Sequence, residues 1–135
     1  LYGIIGFAKA LENATQNFDE ESAYIGTLKY YMYDELKKHI PGIGFNGDVL
    51  GNRLYTVLSV SLPKTEKSEM ILFNLDINNI CASGGSACTS GAEQGSHVIR
   101  AINNNPNRVT VRFSFSKYNK KEEVDLVVQK IKELI

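Results

Sequence analysis

Apolar residues along the chain recur at two spacings, three-to-four and two, and the changes between them delimit the predicted elements. Ile4, Ile5, Ala8 and Leu11 form a stripe at helical spacing, predicting a helix over about residues 2–13. Ile25, Leu28, Met32 and Leu36 carry a second stripe, whose helix should begin near Asn17 with Glu20 as a capping-box-like partner. Lys37, Lys38 and His39 suit the negative end of its dipole, and Pro41-Gly42 stops it. Residues 42–52 read as a Gly/Asn-rich connection. Leu54, Thr56, Leu58, Val60 and Leu62 alternate with Tyr55, Val57, Ser59 and Ser61, which predicts a strand ended by Pro63. Residues 66–75 read as a short helix with Met70, Ile71 and Leu75 inward, and residues 79–82 as a short central strand. A small-residue loop follows, from Ser83 to about Gly95. Val98, Ile99 and Ile102 mark another short helix, ended by Asn103-Asn104-Asn105-Pro106. In the next strand Val109, Val111, Phe113 and Phe115 share one face, and Thr110, Arg112, Ser114 and Ser116 the other. The last helix starts at Asn119 and Glu122, with Val124, Val127, Val128, Ile131 and Leu134 along one side.

The predicted order, α-α-β-α-β-loop-α-β-α, is that of an α+β two-layer sandwich: a small, mostly antiparallel sheet with helices. Such a sheet is too small for a complete cofactor-binding domain, and no phosphate-binding glycine motif precedes a helix. Composition changes this picture little. The chain has 135 residues, 43% hydrophobic and 22% charged, enough for one domain spanning 1–135 with a real core. Basic and acidic residues balance at 15 each, which gives no reason to expect nucleic acid or an anionic membrane as partner. No apolar run approaches the roughly 18–20 residues of a membrane helix. A signal-peptide pattern is lacking, so a cytoplasmic location is expected. The chain starts without methionine inside an apolar pattern and reads as a fragment of a larger protein.

Candidate chemistry centres on a thiol. The two cysteines, Cys81 and Cys88, are too few for a disulfide-built fold, and with His39 and His97 they show no metal-ligand spacing, so no metal site is expected. Cys81 follows Ile80 in an apolar segment and is expected to be buried and inert. Cys88 lies in Ser83-Gly84-Gly85-Ser86-Ala87-Cys88-Thr89-Ser90, a segment too poor in apolar surface to be held rigidly. Composition leaves Cys88 either a nucleophile that travels between reactants or an idle surface thiol. Arg112 is either a solvated arginine on a wet sheet face or a guanidinium fork for a carboxylate. His97 reads as a capping or surface residue, His39 as a dipole partner, Arg100 as an exposed helix residue, and Tyr24, Tyr30, Tyr31 and Tyr33 as core and surface helix residues and not a stacking platform.

These segments, taken in order, resemble the cysteine desulfurases, pyridoxal-phosphate enzymes of the class V aminotransferase family. Ser-Gly-Gly-Ser-Ala-Cys-Thr-Ser, followed by Val98-Ile99-Arg100-Ala101-Ile102, is similar to the active-site region of the group with a long cysteine loop and a Ser-Ala-Cys-Thr-Ser signature. Val111-Arg112-Phe113-Ser114-Phe115-Ser116 resembles the family's Ile-Arg-Phe-Ser-Leu-Gly strand, and Asn119-Lys120-Lys121-Glu122-Glu123-Val124-Asp125 its Thr-Thr-Glu-Glu-Glu-Ile-Asp helix start. Phe45-Asn46-Gly47-Asp48 resembles a Leu-Asn-Gly-Asp turn, and residues 4–11 the helix after an Arg-Ser/Ala-Gly-Thr-Pro segment. The chain departs from the pattern at Tyr55-Thr56-Val57-Leu58-Ser59-Val60-Ser61, where the family often has Pro-Asn-Thr/Ile-Leu-Asn-Val-Ser. It also departs at Gly95-Ser96-His97, in place of a Pro-Ser-Tyr-like triplet.

The resemblance implies the small domain of a fold-type I enzyme that converts L-cysteine to L-alanine. Cys88 would be the nucleophile that becomes a persulfide, and Arg112 would bind the substrate's α-carboxylate. Pyridoxal 5'-phosphate is implied for the full-length enzyme and not for this stretch, which lacks a Ser-x-His-Lys segment. No cofactor-binding residue is therefore assigned, and the fragment alone is expected to be inactive. Implied partners are L-cysteine, a sulfur acceptor such as an iron–sulfur scaffold, and a second copy in a full-length homodimer. The alternatives are the small domain of a related enzyme such as selenocysteine lyase, or a non-enzymatic thiol-carrier module.

Overall fold

The computed structural model describes residues 1–51, 54–84, 96–102 and 105–135. The elements in chain order are α1 (Tyr2–Gln16), α2 (Phe18–His39), β1 (Gly44–Phe45), β2 (Val57–Pro63), α3 (Glu66–Glu69), α4 (Ile71–Ile77), α5 (His97–Ile102), β3 (Arg108–Ser114) and α6 (Lys121–Leu134). The strands form one antiparallel sheet in the order β1-β2-β3. Leu58, Val60 and Leu62 of β2 and Val111 and Phe113 of β3 are buried, as are Ile25, Leu28, Met32 and Leu36 of α2 and Val124, Val128 and Ile131 of α6. Helices on one face of a small sheet make the two-layer α+β arrangement that the alternating patterns predict. Full burial of one such aliphatic side chain contributes about 1.5–3 kcal/mol.

Several local expectations change. The helix over 66–75 is two helices, α3 and α4, broken at Met70, which is exposed while Ile71 and Leu75 pack inward. The Thr65–Ser68 capping box starts α3, and at its end the Met70 N–H bonds the Lys67 carbonyl three residues back, which ends the four-residue ladder there. Asn17 caps α2 without a side-chain hydrogen bond, because its carboxamide turns back to the Asn13 carbonyl of α1. At α6 the Glu123 carboxylate, rather than Glu122, accepts the Lys120 backbone N–H and the Asn119 carboxamide. Residues 54–56 lie outside β2.

Residues 79–82 are not a strand. Asn79 takes a left-handed conformation (φ 58°) and closes α4, with its N–H on the Asp76 carbonyl and that of Ile80 on the Leu75 carbonyl. Ile80 points into the core, so its neighbour Cys81 points out and is exposed, contrary to the expected burial. The sheet gains only an isolated antiparallel bridge between Ser83 and Arg112. In α1 the helix is as predicted, but none of its residues is buried and Ile4, Ile5, Phe7 and Leu11 face solvent.

Candidate functional site

The sheet's outer face carries the odd-numbered residues of β2 and the even-numbered residues of β3. The register sets Ser59 opposite Arg112, Ser61 opposite Thr110 and Val57 opposite Ser114. Two arginines stand on this face, and their surroundings differ. Arg108 is spent: its Nε donates to Ser61 Oγ at 2.9 Å, its Nη1 to the Gly42 carbonyl at 2.8 Å, and its Nη2 to the Ser61 carbonyl. The guanidinium covers Ser61, leaving it 3% exposed at a position where alternation alone would leave it wet. Gly44 makes the approach possible, since a Cβ there would lie 2.8 Å from Arg108 Nη2.

Arg112 is exposed, and among the described residues its guanidinium has no hydrogen-bond or ion-pair partner. Its backbone, by contrast, is held on both sides. It pairs with Ser59 in β2, and on the other edge its N–H donates to the Ser83 carbonyl at 2.6 Å while Ser83 N–H donates to its carbonyl at 3.1 Å. Arg112 is thus a fixed backbone position carrying a planar cation without a partner among the described residues. It borders an open cleft of about 510 Å³ whose walls include Asn46, Asp48, Leu54, Ser59 and Ser114. The same cleft holds Lys29 of α2, which is 3% exposed and whose Nζ donates to the Leu54 carbonyl at 2.9 Å. Lys29 was legible in the sequence, because it falls four residues after Ile25, on the apolar stripe of α2. The Asn46 carboxamide, in the turn just after β1, donates to Ser59 Oγ of β2 at 3.1 Å and to Thr110 Oγ1 of β3 at 3.3 Å beside Arg112.

Cys88 lies outside the described residues, as does most of its loop. The chain reaches that loop from the edge of β3. Gly84 sits against the strand, where a Cβ would be 3.2 Å from the Thr110 carbonyl oxygen and 2.6 Å from Leu72 Cδ1. On the far side Ser96 caps α5, its Oγ accepting the Ile99 N–H at 3.5 Å, so the serine and not His97 takes the capping position. His97 and Arg100 are exposed. His39 lies in the last turn of α2 with its Nε2 3.1 Å from Glu35. The helix tyrosines pack: Tyr24 donates to the Asn119 carbonyl, Tyr31 donates to Asp125, and the Tyr33 ring meets Phe45. Cys81 opens onto a second groove, of about 340 Å³, between Phe113, Phe115 and α6. Among the described residues, no three His, Cys, Asp or Glu side chains come together to hold a metal ion, and no helix is long and apolar enough to cross a membrane.

This arrangement has counterparts in known proteins. The chain is 34% identical to cysteine desulfurase IscS of Ehrlichia chaffeensis over 96% of its length, and 34% identical to cysteine desulfurase NifS of Azotobacter vinelandii over 98%. It covers 32% and 33% of those two proteins, about a third of each. Among solved structures, a NifS-like protein superposes with a TM-score of 0.76 at 27% identity, over 97% of this chain and 32% of the other. The X-ray structure of a NifS-like protein from Rickettsia africae gives a TM-score of 0.67 at 25% identity, over 96% and 32%. The matched stretch is the C-terminal portion of these proteins. The aminotransferase class-V family model matches residues 1–127, so nearly every element from α1 into α6 is accounted for by one family. Fold, order of elements and sequence therefore agree, and the chain belongs to the class-V aminotransferases.

Proposed function

We propose that this chain is the C-terminal domain of a cytoplasmic, homodimeric cysteine desulfurase that uses pyridoxal phosphate, releases alanine from cysteine, and passes the sulfur to an acceptor such as an iron–sulfur scaffold. The observation that carries the reading is an uncommitted Arg112 guanidinium on a fixed strand, within a chain similar to curated cysteine desulfurases throughout its length. A guanidinium with no partner among the described residues is available to take a carboxylate through two parallel hydrogen bonds. Cys88 follows Gly84 by four residue steps, and at about 3.5 Å per step chain length alone keeps the two α-carbons within roughly 14 Å. A thiol on that tether has the reach to meet a substrate whose carboxylate rests on Arg112.

In the transfer, the Cys88 thiolate attacks the sulfur of the substrate cysteine. A sulfur–sulfur bond forms as the substrate's carbon–sulfur bond breaks. The electron pair stays with carbon, which takes up a proton, and the products are alanine and a Cys88 persulfide.

The described residues do not fit pyridoxal phosphate. The one buried amine in the Arg112 cleft, Lys29, is already committed to the Leu54 carbonyl, and a lysine that binds the cofactor needs an accessible amine. The cofactor and its lysine then belong to the rest of a longer protein, and the 135-residue chain by itself is inactive. The test uses the full-length protein with cysteine, following alanine release and trapping persulfide by alkylation and mass spectrometry. Label on Cys88, lost in Cys88→Ser with the cofactor retained, is expected. Alanine release undiminished in Cys88→Ser would refute the reading.

A further inference from the structure

Ser59 stands directly across from Arg112 on the outer face of the sheet. Cross-strand neighbours on one face hold their Cβ atoms about 4.5–5.5 Å apart, so hydroxyl and guanidinium border the same cleft. Asn46 fixes the hydroxyl. Its own backbone N–H is tied to the Ser59 carbonyl at 2.9 Å, and its carboxamide nitrogen donates to Ser59 Oγ and Thr110 Oγ1 at 3.1 and 3.3 Å. A carboxamide has two N–H hydrogens, and here each hydroxyl receives one. Both hydroxyls therefore act as acceptors toward Asn46 and keep their own hydrogens to donate elsewhere. Ser59 has no other side-chain partner among the described residues.

We infer that Ser59 is a second carboxylate-binding group, donating its hydroxyl hydrogen to the anion that Arg112 holds, with Asn46 as the positioning residue that orients it. The ligand class is a small monocarboxylate such as the α-carboxylate of an amino acid. Each carboxylate oxygen accepts two hydrogen bonds, so the guanidinium fork along one edge leaves lone pairs for a hydroxyl from the side. The uncharged donor adds little to long-range attraction and sets the tilt of the carboxylate in the cleft. This inference rests on the reading of Arg112 as the carboxylate residue.

The test titrates the full-length protein with propionate, and separately with propionamide, at ionic strength matched with sodium chloride. Nuclear magnetic resonance follows the Arg112 side-chain Nε–H and the Ser59 backbone amide. Both signals should shift saturably with propionate and stay still with propionamide. Ser59→Thr and Ser59→Val are equal in size and suited to a strand, and differ only in the hydroxyl. Val should weaken propionate binding about tenfold relative to Thr, as expected for a hydrogen bond to a charged group. Asn46→Asp turns both hydroxyl hydrogens inward and adds a negative charge, and should abolish binding with the amide spectrum still dispersed. If Arg112→Gln abolishes binding while Thr and Val at residue 59 bind equally, the inference is overturned and the Arg112 reading stands. Binding that survives Arg112→Gln, or no saturable shift with propionate, overturns both.

Discussion

Arg108 and Arg112 lie four residues apart on one face of β3 and should respond in opposite ways to the same change. Arg108→Lys keeps the charge, but one ammonium cannot span Ser61 Oγ, the Ser61 carbonyl and the Gly42 carbonyl. A lysine retains one of these contacts and loses two. A hydrogen bond from a charged donor is worth about 1.5–3 kcal/mol when buried. The Gly42 end is open to solvent, so about 1–1.5 kcal/mol per lost bond is the better figure, and about 2–3 kcal/mol in all. For a domain of this size that lowers Tm by roughly 6–12 °C. The chain contains no tryptophan, so urea unfolding is best followed by far-ultraviolet circular dichroism. Arg112→Lys should stay within about 0.5 kcal/mol of the parent, because among the described residues its guanidinium holds no partner. On the proposed function the pattern reverses in the full-length protein: Arg112→Lys should raise KM for cysteine and Arg108→Lys should leave it near the parent value. Equal unfolding midpoints for the two variants would show that the Arg108 contacts carry no net stability and that the division of labour is wrong.

Three further outcomes follow from local geometry. The Tyr31 hydroxyl donates to Asp125 at 2.5 Å, and that bond, ahead of partial desolvation, pushes its pKa from 10.0 up to about 12. Its contribution to stability is present below pH 10.0 and fades as pH rises toward 12, and phenolate absorbance should show one late-titrating tyrosine that moves down in Asp125→Asn. The Glu123 carboxyl is held below its ordinary 4.5, first by the Lys120 backbone N–H and then by the Asn119 side chain. That contribution is present above pH 4.5 and lost as pH falls through the lowered value, so Glu123→Gln should flatten the acid limb of a stability–pH curve, and an unaltered limb would count against the cap. Finally, Gly84→Ala places a methyl 3.2 Å from the Thr110 carbonyl, which must strain the Ser83–Arg112 bridge. Hydrogen exchange at the Arg112 amide should quicken, and an unchanged rate would mean that the strand yields without cost.

Much of the fold was legible because burial on one face imposes a period. Val111, Phe113 and Phe115 repeat every second residue, and Ile25, Leu28, Met32 and Leu36 every third or fourth, and the structure buries all of them. Misreadings arose where a local geometric demand overrode an average. Cysteine is usually buried, but Ile80 took the inward position and turned Cys81 out. The α1 stripe has helical spacing, yet spacing says nothing of what lies opposite it, and the stripe is exposed throughout.

The candidate site divides along the same line. That Arg108 and Arg112 share a face with Thr110 and Ser114 follows from the strand period, and their roles do not. Two positions four apart on one strand are equivalent in pattern and differ only in what the neighbouring chain brings beside them. At Arg108 that is the Gly42 carbonyl and Ser61, admitted by the missing side chain of Gly44. At Arg112 it is Ser59, whose hydroxyl already receives the Asn46 carboxamide. Hydrogen bonds between residues 47 and 66 apart depend on sheet register and on the course of a loop, neither of which a local pattern encodes. The strand period places both cations on one face, and the folded sheet commits Arg108 there while Arg112 meets no partner among the described residues.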